Sequence, residues 1–266
     1  MKLVRTVAEV EASLLPAWQD GRAIGLVATM GAFHAGHRAL MQAARAADEV
    51  VVVSLFVNPA QFGPTEDLVR YPRDEASDAE MAAAAGVDIL FVPSVDEMYP
   101  PGFDTWIDPG QLGTELEGAV RPGHFRGVAT VCARLFGMVR PQRAYFGRKD
   151  AQQVAVIKQV VRDLALPLAI AVCATVRDPD GLALSSRNAY LSADERRVAL
   201  ALPRALEAGL SAHRAGEDPE AALRAHLAAE PRLVVDYVAT RDFDGPTLAA
   251  AIRVGGKRLI DNVQLD

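Results

Sequence analysis

Residues 30–37 carry the side chains best suited to chemistry on an anion. Two histidines in this segment, His34 and His37, stand three positions apart, and Gly31 and Gly36 flank the first of them. In the first turn of a helix, residues at this spacing lie on one face. Imidazole N–H groups there can donate to phosphate oxygens and stabilise the charge that develops during phosphoryl or nucleotidyl transfer. The segment is therefore predicted to bind phosphate.

The runs on either side of residues 30–37 predict a βαβ unit. An apolar run, 24–28, precedes the segment, an Ala-rich run with helical spacing, 38–47, follows it, and a β-branched run, 50–57, comes next. The segment then lies where a parallel strand ends and a helix begins. The helix dipole and unpaired backbone N–H groups favour anions at such a place. We expect backbone N–H groups and both imidazoles to contact the anion.

Two other interpretations of this segment compete with phosphate binding. A histidine pair at helical spacing can bind a metal ion, but no third Cys, His or acidic ligand lies close by in the sequence. The glycines can also serve a tight turn and nothing more. The segment does not fit GxGxxG, and GxxxxGK[ST] occurs nowhere in the chain. A dinucleotide fingerprint and a Walker-type loop are therefore unsupported.

Composition narrows the class of protein. The chain has 266 residues, 50% of them hydrophobic and 23% charged, which fits a globular protein with a sizeable core. Its formal net charge of -6 disfavours a nucleic-acid-binding surface.

Both cysteines, Cys132 and Cys173, lie in apolar runs and are expected to be buried thiols in a reducing compartment. No apolar run is long enough to span a membrane, and the first residues lack a signal-peptide core. We expect a cytoplasmic protein without a membrane or nucleic-acid partner.

Two loops add polar side chains that can bind a substrate. The loop after residue 57 is dense in proline, glycine and acids, and Gln61 in it can hydrogen-bond a neutral polar group of a ligand. A solvated loop amide is the alternative. Arg121, His124 and Arg126 form a positive cluster just before the helical run 128–139, which suits an anion. The alternative there is a solvated basic loop.

Two further junctions carry groups that suit phosphate. Lys149 follows an apolar strand and is a compact positive charge, and Gln153 lies one helical turn beyond it. Farther along, Ser185, Ser186 and Arg187 combine two hydroxyls with a guanidinium after a glycine turn, an arrangement that can clamp phosphate. Ser186 can instead cap the helix that is predicted from residue 193.

The remaining periodicity predicts an α/β fold whose pattern changes beyond Val176. The first part alternates helices with core strands, at 5–20, 74–85, 87–93 and 168–173. The second part has two Ala-rich helical stretches followed by short strands, at about 193–213, 217–229, 233–240 and 253–263. This change predicts a smaller α/β lobe at the end of the chain.

Several of these segments, taken in order, resemble a known family. Residues 30–37 with a later Lys149 and Ser185-Ser186-Arg187 are similar to the HIGH/KMSKS nucleotidyltransferase superfamily. Residues 56–63, 121–128 and 184–188 narrow the resemblance to its pantothenate synthetase (pantoate–β-alanine ligase) family, over nearly the whole chain. Three residues depart from the family's usual pattern, where proline, leucine and an acidic residue are common: Ala28, Phe33 and Ala35. None of the three removes a charged or donating group.

The resemblance implies a fold and a reaction. A Rossmann-like parallel-sheet domain over residues 1–175 would be followed by a small C-terminal lid domain over 176–266, and the protein would be a homodimer. ATP with Mg²⁺, pantoate and β-alanine would be the reactants. The pantoate carboxylate would attack the α-phosphorus of ATP to give pantoyl adenylate and pyrophosphate. The β-alanine amine would then attack the acyl carbon and release AMP and pantothenate.

The resemblance also implies roles for individual residues. The catalytic residues would be His34, His37 (the proton donor), Lys149, Ser185, Ser186 and Arg187. ATP would contact Met30, Gly31, Ala32, Phe33, His34, Ala35, Gly36, His37, Gly147, Arg148, Lys149, Asp150, Val176, Leu184, Ser185, Ser186 and Arg187. Gln61 would bind pantoate and β-alanine, and Gln153 would bind pantoate, with further substrate contacts from Asn58, Arg121 and His124. No side chain would bind a metal directly, because Mg²⁺ would be held through the ATP phosphates.

Three rival functions are weaker. A mononucleotide adenylyltransferase would meet a phosphate on its second substrate, for which a cation is a better partner than Gln61 or Gln153. An aminoacyl-tRNA synthetase would need a tRNA-binding domain, for which length and charge leave no room. A non-catalytic nucleotide-binding regulator would not need two separate phosphate-facing motifs.

Overall fold

The computed structural model describes residues 1–64, 66 and 68–266. The chain divides into two compact units. Unit 1 comprises Met1–Phe146 and Val156–Cys173, and unit 2 comprises Gly147–Ala155 and Ala174–Asp266. Lys149 and Gln153 therefore belong to unit 2, although they precede the last strand of the unit 1 sheet in the sequence.

Unit 1 is built on a sheet of parallel strands with helices between them. Its elements, including the junction into α7 that unit 2 shares, are β1 (Lys2–Val4), α1 (Val7–Gln19), β2 (Ile24–Thr29), α2 (Ala35–Ala47), β3 (Val50–Leu55), α3 (Glu75–Ala84), β4 (Ile89–Phe91), α4 (Val95–Met98), α5 (Glu117–Val120), α6 (His124–Val139), β5 (Arg143–Gly147), α7 (Ala151–Asp163) and β6 (Ala169–Cys173). Short 3₁₀ helices lie at Pro59–Gln61, Leu68–Arg70 and Gly110–Gly113.

The strand order places a switch point at β2. In the part of the chain that the structure describes, six strands form one sheet in the order β1-β4-β3-β2-β5-β6. Strand β2 pairs in parallel with both β3 and β5, from Ile24↔Val50 on one side and Gly25↔Arg143 on the other. From β2 the chain continues to β3 and β4 on one side of the sheet, whereas from β5 it continues to β6 on the other side. Ligands of open α/β sheets bind at the carboxyl ends of strands at such a point.

Burial on both faces explains why the central strands are apolar throughout. Leu26 and Val27 of β2, and Val51, Val52 and Val53 of β3, have no exposed surface. A strand covered by helices on both faces needs apolar side chains on both, so its sequence does not alternate. The predicted βαβ unit and the predicted parallel-sheet α/β fold are confirmed.

Helix α6 begins four residues before the predicted start at 128. Gly123 takes a left-handed conformation (φ 82°) just before the helix and turns the chain into it. His124 and Arg126 therefore lie in the first turn of α6 rather than in a loop. His124 is buried, and the Arg126 guanidinium lies 4.7 Å from the centre of the Trp106 ring. The interpretation as a loop before the helix was wrong for His124 and Arg126, whereas Arg121 does precede α6.

Unit 2 packs three helices on a three-stranded antiparallel sheet. Its further elements are a 3₁₀ turn at Arg148–Asp150, a 3₁₀ helix at Ser186–Tyr190, α8 (Ala193–Ala199), α9 (Ala201–Arg214), α10 (Pro219–Ala228), β7 (Leu233–Asp242), β8 (Pro246–Val254) and β9 (Lys257–Gln264). The sheet order is β7-β8-β9. Leu202, Leu206, Leu223 and Leu227 of the helices pack with Ile252 of β8 to form its core.

Two predictions for unit 2 were wrong in detail. The helix predicted over 193–213 is interrupted at Leu200, because Pro203 has no N–H to donate to the Ala199 carbonyl in a continuous helix. Strand β8 was missed, since its Ala249-Ala250-Ala251 run has low intrinsic strand preference. These alanines are 0–5% exposed, and packing rather than propensity places them in a strand.

The two cysteines are free thiols in different surroundings. Cys132 is buried in α6, as predicted, whereas Cys173 at the end of β6 is half-buried. Among the described residues, no helix is both long and apolar enough to cross a membrane.

Candidate active site

The two histidines of residues 30–37 cap helix α2 by accepting backbone N–H groups at its start. His34 is the N-cap residue, and its Nδ1 accepts the Gly36 N–H at 3.1 Å. Nδ1 of His37 accepts the His34 N–H at 3.3 Å, and the ring centres lie 4.2 Å apart. A backbone N–H can only donate, so Nδ1 of each ring carries no proton. Each neutral imidazole therefore carries its proton on Nε2, as a donor.

Asp78 of α3 holds the turn that precedes this helix. Its Oδ2 accepts the Ala32 N–H at 2.8 Å and its Oδ1 accepts the Phe33 N–H at 2.6 Å. Gly31 and Ala32 both have left-handed backbones, with φ of 85° and 53°. Burial raises the pKa of the Asp78 carboxyl, while the two backbone N–H bonds oppose that rise. The carboxylate thus fixes a turn whose backbone is unusual at two successive residues.

These contacts change the expected source of donors to an anion. The N–H groups of Ala32, Phe33, His34 and Gly36 all have partners within the protein. For these four groups, the expectation that backbone N–H groups remain unpaired was wrong. These four N–H groups are therefore engaged in holding the turn and the start of α2.

Asn58 fixes the orientation of the Gln61 side chain. Asn58 Oδ1 accepts the Ala60 N–H at 3.2 Å, and its Nδ2 donates to the Gly127 carbonyl at 3.2 Å. Because a backbone N–H only donates and a carbonyl only accepts, these contacts determine which end of the Asn58 amide is which. Its Nδ2 also donates to Gln61 Oε1 at 2.9 Å. Gln61 Nε2 consequently faces away from Asn58 and lies 3.2 Å from the Met30 sulfur.

Tyr99 completes this chain of hydrogen bonds. Its hydroxyl donates to Asn58 Oδ1 at 2.7 Å. Burial raises the pKa of Tyr99 to about 12, so the hydroxyl stays protonated. Asn58 itself is 1% exposed. The family resemblance placed Asn58 among the substrate contacts, and the structure places it behind Gln61.

Arg121 and His124 also support the Gln61 loop from within unit 1. The Arg121 guanidinium binds both carboxylate oxygens of Glu66 at 2.7 Å and lies 3.0 Å from His124 Nε2. His124 Nδ1 lies 2.9 Å from the Gln61 carbonyl oxygen. Since Arg121 can only donate, His124 Nε2 accepts and its Nδ1–H donates to that carbonyl. Burial, with the positive charge of Arg121 beside it, lowers the pKa of His124 to about 4.

In unit 2, the side chain of Asn262 holds the turn that carries Lys149. Asn262 Nδ2 donates to the carbonyls of Arg148 and Lys149, at 2.9 and 2.8 Å. The Arg148 guanidinium lies 3.4 Å from the Asp244 carboxylate. Lys149 and Gln153 are both half-buried. No motif pointed to Asn262, which is 113 positions from Lys149.

The serine segment of unit 2 begins as a narrow hairpin and ends as a 3₁₀ helix. Arg177 and Ala183 form an isolated antiparallel bridge, and the Leu184 N–H donates to the Val176 carbonyl at 3.0 Å. Ser185 Oγ accepts the Arg187 N–H at 3.3 Å and caps the 3₁₀ helix. Helix α8 is capped by Ser192 in a capping box with Glu195. Ser186 therefore does not cap that helix, which removes the alternative role considered for it.

The structure brings some predicted residues together within each unit. In unit 1, residues 30–37 meet the Gln61 loop through Met30. In unit 2, the turn of Lys149 and the hairpin before Ser185 both contact β9. Among the described residues, no three His, Cys, Asp or Glu side chains are grouped so that they could hold a metal ion.

The parallel sheet and the histidine-capped helix at the end of β2 define an α/β protein of the class that binds ligands at the carboxyl ends of its strands. A family model described as pantoate-beta-alanine ligase matches residues 2–264. The chain belongs to the pantoate–β-alanine ligase family, as its motifs indicated.

The chain is similar over its whole length to relatives and to solved structures of this family. It is 50% identical to a pantothenate synthetase from Moorella thermoacetica, over 100% of this chain and 99% of the relative. A crystal structure of pantothenate synthetase from Thermus thermophilus superimposes with a TM-score of 0.94 at 46% identity, covering 100% of this chain and 99% of that one. A pantoate-beta-alanine ligase from Francisella tularensis, solved with beta-gamma ATP and beta-alanine, has a TM-score of 0.86 at 33% identity, covering 100% and 98%.

Proposed function

We propose that the chain catalyses the ATP-dependent condensation of (R)-pantoate with β-alanine to pantothenate, through a pantoyl-adenylate intermediate. The observation that carries this proposal is the family match over residues 2–264, which includes every segment with a candidate role. The Francisella tularensis ligase, solved with beta-gamma ATP and beta-alanine, supports ATP and β-alanine as reactants.

The reaction needs positioning and charge stabilisation rather than a protein nucleophile. A pantoate carboxylate oxygen attacks the α-phosphorus, a P–O bond forms, and pyrophosphate leaves with the electrons of the broken bond. The β-alanine amine then attacks the activated acyl carbon, AMP leaves, and the nitrogen loses a proton. Aligning the two reactants and neutralising the triphosphate lower the barrier of the first step.

Unit 1 supplies neutral donors for the phosphates of ATP. The Nε2–H groups of His34 and His37 are set by the reciprocal contacts at their Nδ1 atoms. A donor held in place before the reaction costs no reorganisation when charge develops, and one such donor is typically worth about 10²–10³ in rate. His37 is proposed as the proton donor. The other residues of unit 1 that we propose to contact ATP are Met30, Gly31, Ala32, Phe33, Ala35 and Gly36.

Unit 2 supplies positive charge and hydroxyls. Lys149 and Arg187 bring two cations, and Ser185 and Ser186 bring two hydroxyl donors, all suited to phosphate oxygens. The neighbours proposed to contact ATP with them are Gly147, Arg148, Asp150, Val176 and Leu184. Mg²⁺ enters as part of the substrate, MgATP, since this donor set of nitrogens and hydroxyls suits phosphate oxygens better than a hard cation.

Gln61 presents an amide N–H to pantoate. Its Oε1 is occupied by Asn58, so the end proposed to face substrate is Nε2. A neutral amide can bind an oxygen of pantoate without pairing off the carboxylate as a cation would. Gln153 is proposed to bind the same substrate, and Gln61 also to lie near β-alanine. Asn58, Arg121 and His124 are proposed to act through the Gln61 loop, because each of them hydrogen-bonds Gln61.

The engagement of Arg121 weakens the nearest rival function. A mononucleotide adenylyltransferase would need a cation for the phosphate of its second substrate, and Arg121, which contacts the Gln61 loop, binds both oxygens of Glu66. We further propose a homodimeric assembly, as the family resemblance implies, and a cytoplasmic location, as expected from composition and the absence of a long apolar run. Sedimentation at several concentrations tests the dimer.

Isotope transfer tests the adenylate route. Pantoate labelled with ¹⁸O in its carboxylate is turned over with ATP and β-alanine, and the products are analysed by mass spectrometry. One labelled oxygen is expected in AMP, because the oxygen that attacks the α-phosphorus leaves with it. Label in inorganic phosphate or pyrophosphate, with none in AMP, would overturn the adenylate intermediate.

A further inference from the structure

Two neighbouring residues of β9, Asp261 and Asn262, face different segments of unit 2. Both side chains are buried, at 2% and 5% exposure. The strand that carries them is itself well held, because Ala250 pairs with Asp261 and Ala249 with Asn262 in the register of β8. The backbone of both residues is therefore held in place by strand pairing.

Asn262 holds the turn that carries Lys149. Its Nδ2 donates to the Arg148 carbonyl at 2.9 Å and to the Lys149 carbonyl at 2.8 Å. A primary amide has two N–H groups, so one side chain donates to the carbonyls of two successive residues in the turn. This contact fixes the backbone from which the Lys149 side chain extends.

Asp261 holds the hairpin that leads to Ser185. Its carboxylate binds the Arg177 guanidinium at two points, at 2.6 and 3.0 Å, and also accepts the Asn262 N–H at 2.8 Å. Arg177 donates as well to the Gly181 carbonyl at 3.1 Å, across the hairpin. The planar fork of arginine against a carboxylate fixes orientation as well as distance. Asp261 thus links β9 through Arg177 to the hairpin that leads into the serine segment.

We propose that Asp261 and Asn262 are positioning residues for ATP: together they hold the Lys149 turn and the serine segment on one strand. This inference rests on the proposed function, which assigns Lys149, Ser185 and Ser186 to ATP. Lys149 and Ser185 are 36 positions apart in the sequence, and a common anchor explains how their spacing within unit 2 is maintained. Neither anchor touches ATP in this proposal.

A double-mutant cycle tests the role of Asn262. Asn262→Asp keeps the shape of the side chain but sets an acceptor against two carbonyls, and Asn262→Ser is a milder second variant that keeps one donor. Pantoate-dependent pyrophosphate release is measured with each, in the wild-type and in the Lys149→Ala background. A displaced reacting group can cost about a hundredfold. We expect a loss of at least about tenfold in the wild-type background and less than about twofold in the Lys149→Ala background.

The cycle separates a positioning role from a structural one. Equal losses in both backgrounds would overturn the inference and leave the role of Lys149 intact. A Lys149→Ala enzyme with an unchanged rate would overturn the role of Lys149 in the proposed function, and the inference with it. Thermal unfolding of each variant establishes that the comparison is made between folded proteins.

A matched pair of aspartates tests Asp261. Asp261→Asn removes the charge facing Arg177 without changing shape. Asp236→Asn removes a similar link in the same sheet, where Asp236 binds Arg253 and Arg258 at 2.8 and 2.6 Å. We expect Asp261→Asn to raise the KM for ATP by at least about fivefold with the KM for pantoate unchanged, and Asp236→Asn to change neither. Equal effects of the two substitutions on the KM for ATP would contradict the inference.

Discussion

The Nδ2 group of Asn58 donates to Oε1 of Gln61 across 2.9 Å and thereby fixes which end of the Gln61 amide faces away from Asn58. The orientation of Asn58 is itself set by two backbone groups, the Ala60 N–H and the Gly127 carbonyl. Gly127 permits this close packing, since a Cβ there would lie 2.3 Å from the Ala60 oxygen. This buried chain of hydrogen bonds fixes the orientation of the Gln61 amide, with Oε1 bonded to Asn58 and Nε2 pointing away from it.

Removing the Tyr99 hydroxyl tests that chain at its far end. Tyr99→Phe keeps the ring contacts with Phe103 and Trp106 and deletes the bond to Asn58. One lost hydrogen bond costs about 1 kcal/mol. We expect the KM for pantoate to rise by about fivefold with the KM for ATP unchanged, because Gln61 is less firmly oriented.

Tyr145→Phe is the matched control for this substitution. It deletes a tyrosine hydroxyl bonded to the buried carboxylate of Asp48 at 2.5 Å, also in unit 1. Its stability is expected to fall while both KM values stay unchanged. A similar rise in the KM for pantoate in both variants would show a general loss of stability rather than a loss of Gln61 orientation.

Substitution of the two glutamines separates pantoate from ATP. Gln61→Ala and Gln153→Ala are each expected to lower the affinity for pantoate at least about tenfold and the affinity for ATP less than about twofold. Leaving a buried polar group without its hydrogen-bond partner costs about 1–3 kcal/mol. Isothermal calorimetry with each ligand measures both. Gln111→Ala, which changes an exposed glutamine, serves as the control. If pantoate and ATP are weakened equally, the assignment of the glutamines to pantoate is wrong.

The buried His124 predicts a loss of stability in mild acid. Its pKa is about 4 in the fold and 6.5 in the unfolded chain, so between these values the unfolded state binds more protons. Stability therefore falls as pH decreases from about 6.5 to about 4, by up to about 3 kcal/mol in total. Arg121, Glu66 and Glu117 are the charged groups that act on this imidazole.

Urea unfolding at several pH values measures this dependence. His124→Gln cannot gain a proton and keeps a donor for the Gln61 carbonyl. The difference in stability between wild type and variant should shrink as pH falls through this range. A difference that stays constant from about pH 7 to about pH 4 would contradict a neutral, buried His124.

The sequence predicted those parts of the fold that local pattern determines. The apolar runs of β2 and β3 and the glycines between β2 and α2 were sufficient to predict the βαβ unit and the location of His34 and His37. The Ala-rich strand β8 was missed because burial against helices, rather than residue preference, makes it a strand.

The supporting side chains had no signal in the sequence. Asp78 reaches Ala32 across 46 positions and Asn262 reaches Lys149 across 113, and no local pattern encodes contacts at such separations. Motif reasoning found the groups that suit phosphate and missed the groups that hold them. It also did not predict that Arg121 binds Glu66 or that His124 bonds the Gln61 carbonyl.

The most direct measurement of the proposed function is exchange of labelled pyrophosphate into ATP. Because the first step forms pantoyl adenylate reversibly, exchange should require pantoate and proceed without β-alanine. His37→Ala and Lys149→Ala should each reduce it at least about a hundredfold while remaining folded. His213→Ala, at an exposed histidine of α9, should not. Exchange without pantoate, or near-normal exchange in the His37 or Lys149 variant, would contradict the mechanism.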